Sequence, residues 1–158
     1  MTARYAESTD VAPDRSRAEI ERTLQRYGAT AFMYGWQGDH AALGFDLAGR
    51  RYRIVLPLPP RADFEWTPAR GTRRSAAASQ AAWEQATRQR WRALALWVKA
   101  TLEAAESGIV TVETALLPFV VLPSGVTVGE WVAPQIEATY RLGAMPQLLP
   151  GLPAGEGA

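Results

Sequence analysis

Three apolar runs between residues 29 and 58, separated by turn signals only a few residues long, constrain this chain more than any other feature. The runs are "ATAFMYGW", "AALGFDL" and "RYRIVLPL", and the connectors are "QGDH" and "AGR". Connectors this short cannot carry the crossover that parallel strands need, so the runs predict an antiparallel meander. In the third run Tyr52, Ile54 and Leu56 alternate with Arg51, Arg53 and Val55. Successive side chains of a strand point to opposite faces, so one face is predicted to be core and the other basic near the strand's start. A sheet with one apolar face needs a cover.

That cover is predicted from both sides of the meander. "SRAEIERTLQRYG" reads as a short amphipathic helix: Ser16 and Glu19 stand at capping-box spacing, Ile20, Leu24 and Tyr27 make one stripe, and Gly28 is a stop signal. "PLPPRADFEWTPARGTRRS" (57–75) is predicted to be a loop, with Phe64 and Trp66 pinning it to the body. A long helix is then predicted from about Ser79 to Ser107, ended by Gly108. At 100° per residue Trp91, Leu94, Ala95, Val98, Leu102 and Ala105 share one face, with Trp83 and Trp97 beside it. Gln85, Arg88, Gln89, Arg92, Lys99, Glu103 and Glu106 fall opposite, interrupted by Leu96, which hints at a second packing surface. Beyond it, Thr111 caps a short helix through Leu117, breaking at Pro118. Thr127 and Glu130 repeat the capping-box spacing before a last helix, Val128 to Leu142, stopped at Gly143, with Pro134 predicted to set its first turn apart.

The predicted fold is α+β: an N-terminal helix, a three-stranded antiparallel meander, a long amphipathic helix and a helical C-terminal region. Residues 14–143 form one domain in this reading, with a flexible tail over 1–13 and an extended or disordered tail over 144–158. A length of 158 residues, 47% hydrophobic and 21% charged, suits one buried core. The sequence has no cysteine, no leader-like apolar segment and no apolar run long enough to cross a bilayer, which predicts a cytoplasmic protein without membrane partners.

Most catalytic chemistries lose their signatures. His40 is the only histidine and lies in the "GDH" turn, which disfavours a Ser–His–Asp site and excludes a histidine-rich metal site by count. Neither a phosphate-binding G-x-x-x-x-G-K-[ST] loop nor a G-x-G-x-x-G turn occurs. Asp39, Asp46, Asp63 and Glu65 leave a carboxylate-metal nuclease as a third class, but their spacing matches no nuclease motif. No catalytic residue, cofactor or metal ligand is therefore expected.

The net charge of +1 hides a segregation. Residues 1–60 sum to +1, residues 61–99 to +5 and residues 100–158 to −5. The long helix has Arg70, Arg73 and Arg74 ahead of it, Arg88, Arg90 and Arg92 in its first half, and Glu103 and Glu106 near its end. This is the reverse of what the helix dipole favours, and a helix start ringed by arginine can hold a phosphate. Two plainer explanations compete: the basic and acidic segments neutralise each other in the fold, or the arginine content reflects a GC-rich genome.

At the level of topology, helix, three strands and helix resembles the double-stranded-RNA-binding domain and, more loosely, strand-annealing proteins. A more extensive resemblance rests on "SRAEIERTLQRYGA", "WRALALWVKATLEA", "ESGIVTVETA", "VLPSGVTVGEW" and "MPQLLPG". These blocks resemble a family of small bacteriophage and prophage proteins, especially of actinobacterial and related GC-rich hosts. The resemblance supplies no catalytic residues; it implies an accessory protein of a mobile element, with DNA handling or interference with host machinery as common roles.

The functional expectation is a non-enzymatic accessory protein that binds nucleic acid, DNA more than RNA. Its phosphate contacts would be Arg50, Arg51 and Arg53 on the sheet edge and Arg70, Arg73, Arg74, Arg88 and Arg92 around the long helix. The alternative is a protein-interaction module acting on a host or phage protein through an apolar patch that includes Leu96, Leu148 and Leu149. Oligomeric state, strand preference and process are left open.

Overall fold

The structure, a computed structural model, describes residues 14–143, so the two expected tails, with Leu148 and Leu149, lie outside the described residues. Its elements are α1 (Asp14–Arg26), β1 (Ala31–Gln37), β2 (His40–Leu47), β3 (Arg50–Pro57), α2 (Ala76–Glu106), α3 (Val112–Ala115) and α4 (Val128–Leu142). One-turn 3-10 helices cover Arg61–Phe64 and Leu117–Phe119. The architecture is α+β, as the sequence predicts.

β1, β2 and β3 form one antiparallel sheet in chain order. Both hairpins turn through two residues, Gly38–Asp39 and Ala48–Gly49, and the second has both residues left-handed, at φ 51° and 73°. Such turns follow the twist of the strands and fix the register. Phe45 therefore faces Tyr52 with rings stacked 5.2 Å apart, and Asp46 faces Arg51.

The alternation puts Ala41, Leu43, Phe45 and Leu47 of β2 with Tyr52 and Ile54 of β3 on the buried face. Ile20 and Leu24 of α1 and Trp91, Leu94, Ala95, Val98 and Leu102 of α2 complete the core against them. Trp91 is 1% exposed and meets the Tyr34 ring edge-on at 5.3 Å. Trp91 is thus a core residue, and its truncation is expected to cost several kcal/mol. Leu96, on the opposite side, is 55% exposed.

Five local expectations change. Helix α1 starts at Asp14, so Ser16 lies inside the first turn and does not cap it. Helix α2 starts at Ala76 rather than near Ser79: Ser75 is the N-cap, its hydroxyl accepting from the Ala78 N–H at 3.2 Å, and the alanines that follow are strong helix formers. The helix after Thr111 ends at Ala115, and Pro118 lies in the 3-10 turn beyond it. α4 is continuous through Pro134; the Glu130 carbonyl that loses its partner belongs to an exposed residue, open to water. Trp66, expected to pin the 57–75 loop, is 53% exposed. The loop is held instead by the buried Trp83 indole N–H donating to the Pro59 carbonyl at 2.7 Å, and by Arg74 donating to the carbonyls of Phe64 and Trp66 at 3.0 Å each.

The C-terminal region closes one edge of the sheet. The Val121 N–H donates to the Arg51 carbonyl at 2.8 Å and Val120 bridges Tyr52, so a short extended segment lines β3. The turn through Gly125 leads back to α4, where the Thr127–Glu130 capping box is formed as predicted. None of the residues of α4 is buried.

Candidate nucleic-acid interface

The eight arginines expected at the interface fall into two groups, Arg50, Arg51 and Arg53 on β3 and the other five in the loop before α2 and its first half. Tyr52 and Ile54 point toward α2, so Arg51 and Arg53 occupy the other face. The strand's far end meets α2: Arg90 donates to the Pro57 carbonyl. At about 3.3 Å per residue, Arg50 stands about 23 Å along β3 from that meeting point.

Each β3 arginine faces a carboxylate. Arg51 makes a two-pronged contact with Asp46, Nε to Oδ1 at 2.9 Å and Nη2 to Oδ2 at 3.1 Å. This contact holds the Asp46 carboxyl below its ordinary range and raises the guanidinium in turn. Arg53 donates to Glu130 Oε2 at 2.7 Å and to the Gly125 carbonyl at 2.9 Å. Arg50 lies 3.6 Å from Glu113 of α3. Two acids of the negative C-terminal segment are therefore spent on the β3 arginines.

The group around the start of α2 differs. Among the described residues, the side chains of Arg70, Arg73 and Arg92 have no hydrogen-bond or ion-pair partner, and all three residues are exposed. Arg88 reaches Gln85 at 3.1 Å and stands 3.9 Å from Glu84, a distance that leaves most of its charge available. Arg74 is committed to the two loop carbonyls, so it positions the loop, while its charge stays without a carboxylate.

A cleft of about 550 Å³ opens here, lined by Arg61, Glu65, Arg73, Arg74, Ala76, Ser79, Gln80 and Trp83. Arg61, absent from the expected set, lies over the Trp83 ring at 3.9 Å and donates to Gln80. Its place in the +5 segment was the available signal. The cleft sits at the N-terminal end of a 31-residue helix, where unpaired backbone N–H groups carry partial positive charge. Glu65 is its one carboxylate.

Trp66 is the second residue that sequence reasoning assigned differently. It bridges Arg73 across the loop, with a backbone bond from the Arg74 N–H to the Glu65 carbonyl at 2.8 Å beside it. An exposed indole next to unpaired arginines is the combination that stacks on a base while guanidinium groups hold its phosphates. Trp83 cannot serve that way, being 8% exposed and covered by Arg61.

The four carboxylates of the nuclease reading are dispersed: Asp46 pairs with Arg51, Asp39 with the adjacent His40 at 2.6 Å, Asp63 lies in the 3-10 turn and Glu65 lines the cleft. No helix among the described residues is long and apolar enough to cross a membrane. Comparison with protein families, with curated proteins and with solved structures finds no match to the chain.

Proposed function

We propose that the chain is a non-enzymatic accessory protein, of the phage type its sequence resembles, that binds nucleic acid through the first half of α2 and the loop before it. The observation that carries the proposal is the unequal fate of the arginines. Arg50, Arg51 and Arg53 are matched by carboxylates, whereas Arg70, Arg73 and Arg92 face none among the described residues. Keeping like charges together on one surface is unfavourable for folding alone and favours a polyanion.

Arg70, Arg73, Arg88 and Arg92 would contact phosphate, with Arg61 and Arg74 shaping the cleft. Trp66 would stack on a base, which favours single strands, whose bases are accessible. DNA remains the preferred partner on the phage resemblance. No base-reading group is assigned, so binding is of the sequence-independent kind, with micromolar or weaker affinity at physiological salt. The test is a titration of labelled single- and double-stranded DNA and RNA at two salt concentrations, with the wild type and an Arg70/Arg73/Arg88/Arg92→Ala variant. Binding that is salt-insensitive, or unchanged in the variant, contradicts the proposal.

A second reading is a protein-interaction module. α4 favours it: Trp131, Ile136, Tyr140 and Leu142 are 50–86% exposed on a helix with no buried residue. A protein partner captured in the absence of nucleic acid, and lost on Trp131→Ala with Tyr140→Ala, would favour this reading.

A further inference from the structure

We propose that two copies of this chain pair through β1, joining their sheets into one continuous six-stranded antiparallel sheet about a two-fold axis at Tyr34. The two edges of the sheet are treated differently. β3 is covered by Val120 and Val121, whereas among the described residues no backbone hydrogen bond reaches the outer edge of β1. That edge reads "AFMYGWQ", with no lysine, no proline and no bulge in its register.

The Gly38–Asp39 turn makes Gln37 and His40 a doubly hydrogen-bonded pair, and the alternation then gives Gly35–Ala42, Met33–Gly44 and Ala31–Asp46 the same status. The N–H and C=O groups of Phe32, Tyr34 and Trp36 consequently point outward. An antiparallel partner centred on Tyr34 pairs Tyr34 with its own copy and Phe32 with the copy's Trp36. All three outward residues of both strands are then bonded, six hydrogen bonds in all by strand geometry. No other symmetric register satisfies every one of them.

The side chains suit this register. On the solvent face it sets Met33, which is 57% exposed, opposite Gly35 of the second copy. Gly35 is otherwise unexplained: its φ is not positive, a Cβ there would meet nothing within 4 Å, and glycine weakens a strand unless something approaches closely. On the helix face Trp36, 55% exposed, lies opposite the copy's half-buried Phe32. β1 itself carries no charge, and the nearby cation Arg17 of α1 is engaged on the Tyr34 ring at 4.4 Å. The contact is isologous and closes as a dimer.

The experiment combines mass in solution with a register-specific cross-link. Wild-type chain is followed by sedimentation velocity from low to high micromolar concentration, beside Trp36→Pro, whose lost N–H points outward and makes no bond among the described residues. A Met33→Cys/Gly35→Cys variant, made in a chain without native cysteine, is oxidised and run on a non-reducing gel. Expected are a wild-type mass of twice 17.3 kDa, a folded Trp36→Pro variant at the single-chain mass, and a covalent dimer from the cysteine variant that a reductant reverses. A wild type that stays at 17.3 kDa at every concentration overturns the proposal. So does a folded cysteine variant that gives no cross-link, whatever the mass, since such a dimer would use another surface such as α4.

Discussion

Arg53 joins the meander to the last helix, its guanidinium donating to Glu130 Oε2 at 2.7 Å while the same oxygen accepts the Thr127 N–H at 2.6 Å. One carboxylate thus caps α4 and anchors it to β3. Under the proposed function this also matters for binding, because a β3 arginine engaged this way would be less available to a phosphate.

The anchoring should fail in acid. The Thr127 N–H, and after it Arg53, holds the Glu130 carboxyl below its ordinary value of 4.5. A carboxyl depressed in the folded state contributes stability that is present above its unfolded value and lost as pH falls through its folded value. Hydrogen exchange along α4, corrected for intrinsic rates, should quicken below pH 4.5 before exchange in β2 does. At neutral pH Glu130→Ala should cost about 1 kcal/mol and loosen the same helix. Parallel loss of protection in α4 and β2 would contradict the account.

Among the described residues, two buried polar atoms have no partner, the Tyr52 hydroxyl and the Thr87 hydroxyl. An unsatisfied buried hydroxyl costs about 1–3 kcal/mol, so removing it without changing shape should stabilise. Tyr52→Phe and Thr87→Val are each expected to raise the unfolding free energy by about 1 kcal/mol in urea denaturation. Destabilisation by either would mean that the hydroxyl is bonded in solution.

Ala48 adopts φ 51° in the turn before Gly49. Alanine in the left-handed region is strained, whereas asparagine tolerates it and Asn-Gly is the preferred pair for a two-residue hairpin. Ala48→Asn should stabilise by about 0.5–1 kcal/mol and raise Tm by about 2–4 °C in calorimetry. An unchanged or lower Tm would contradict the turn assignment.

Periodic features were legible in the sequence, and long-range pairings were not. The stripe from Trp91 to Leu102 and the alternation of Tyr52 and Ile54 follow from the helix and strand repeats, and the residues concerned are buried. The Asp46–Arg51 contact was also within reach, because a two-residue turn at Ala48–Gly49 sets those residues opposite each other. By contrast, Arg53 meets Glu130 across 77 residues and Arg50 meets Glu113 across a comparable separation, which no local pattern encodes. The same applies to Trp66: aromatic character argued for burial, but Trp83 and Arg74 already hold the loop, leaving the Trp66 ring outside.

Under the proposed function, the exposed Trp66 would give the interface a preference that charge alone would not. Trp66→Ala should weaken binding to a single-stranded oligonucleotide by about tenfold, as expected for one lost stacked base, and leave duplex binding nearly unchanged. Fluorescence anisotropy against both substrates checks this, with quenching of the indole as a second readout. Equal losses on both would remove the stacking role and leave phosphate contact only.

Under the proposed function, the arginines of the loop before α2 and of its first half grip phosphate while those of β3 do not. The most direct measurement is the salt dependence of binding to labelled single-stranded DNA, compared between wild type, Arg70/Arg73/Arg88/Arg92→Ala and Arg51→Ala. The expected result is that the fourfold variant loses most of its affinity and about three units of slope in log K against log salt, with Arg51→Ala retaining the wild-type slope. A wild type with no salt-dependent binding, or a slope lost with Arg51 and kept in the fourfold variant, would contradict it.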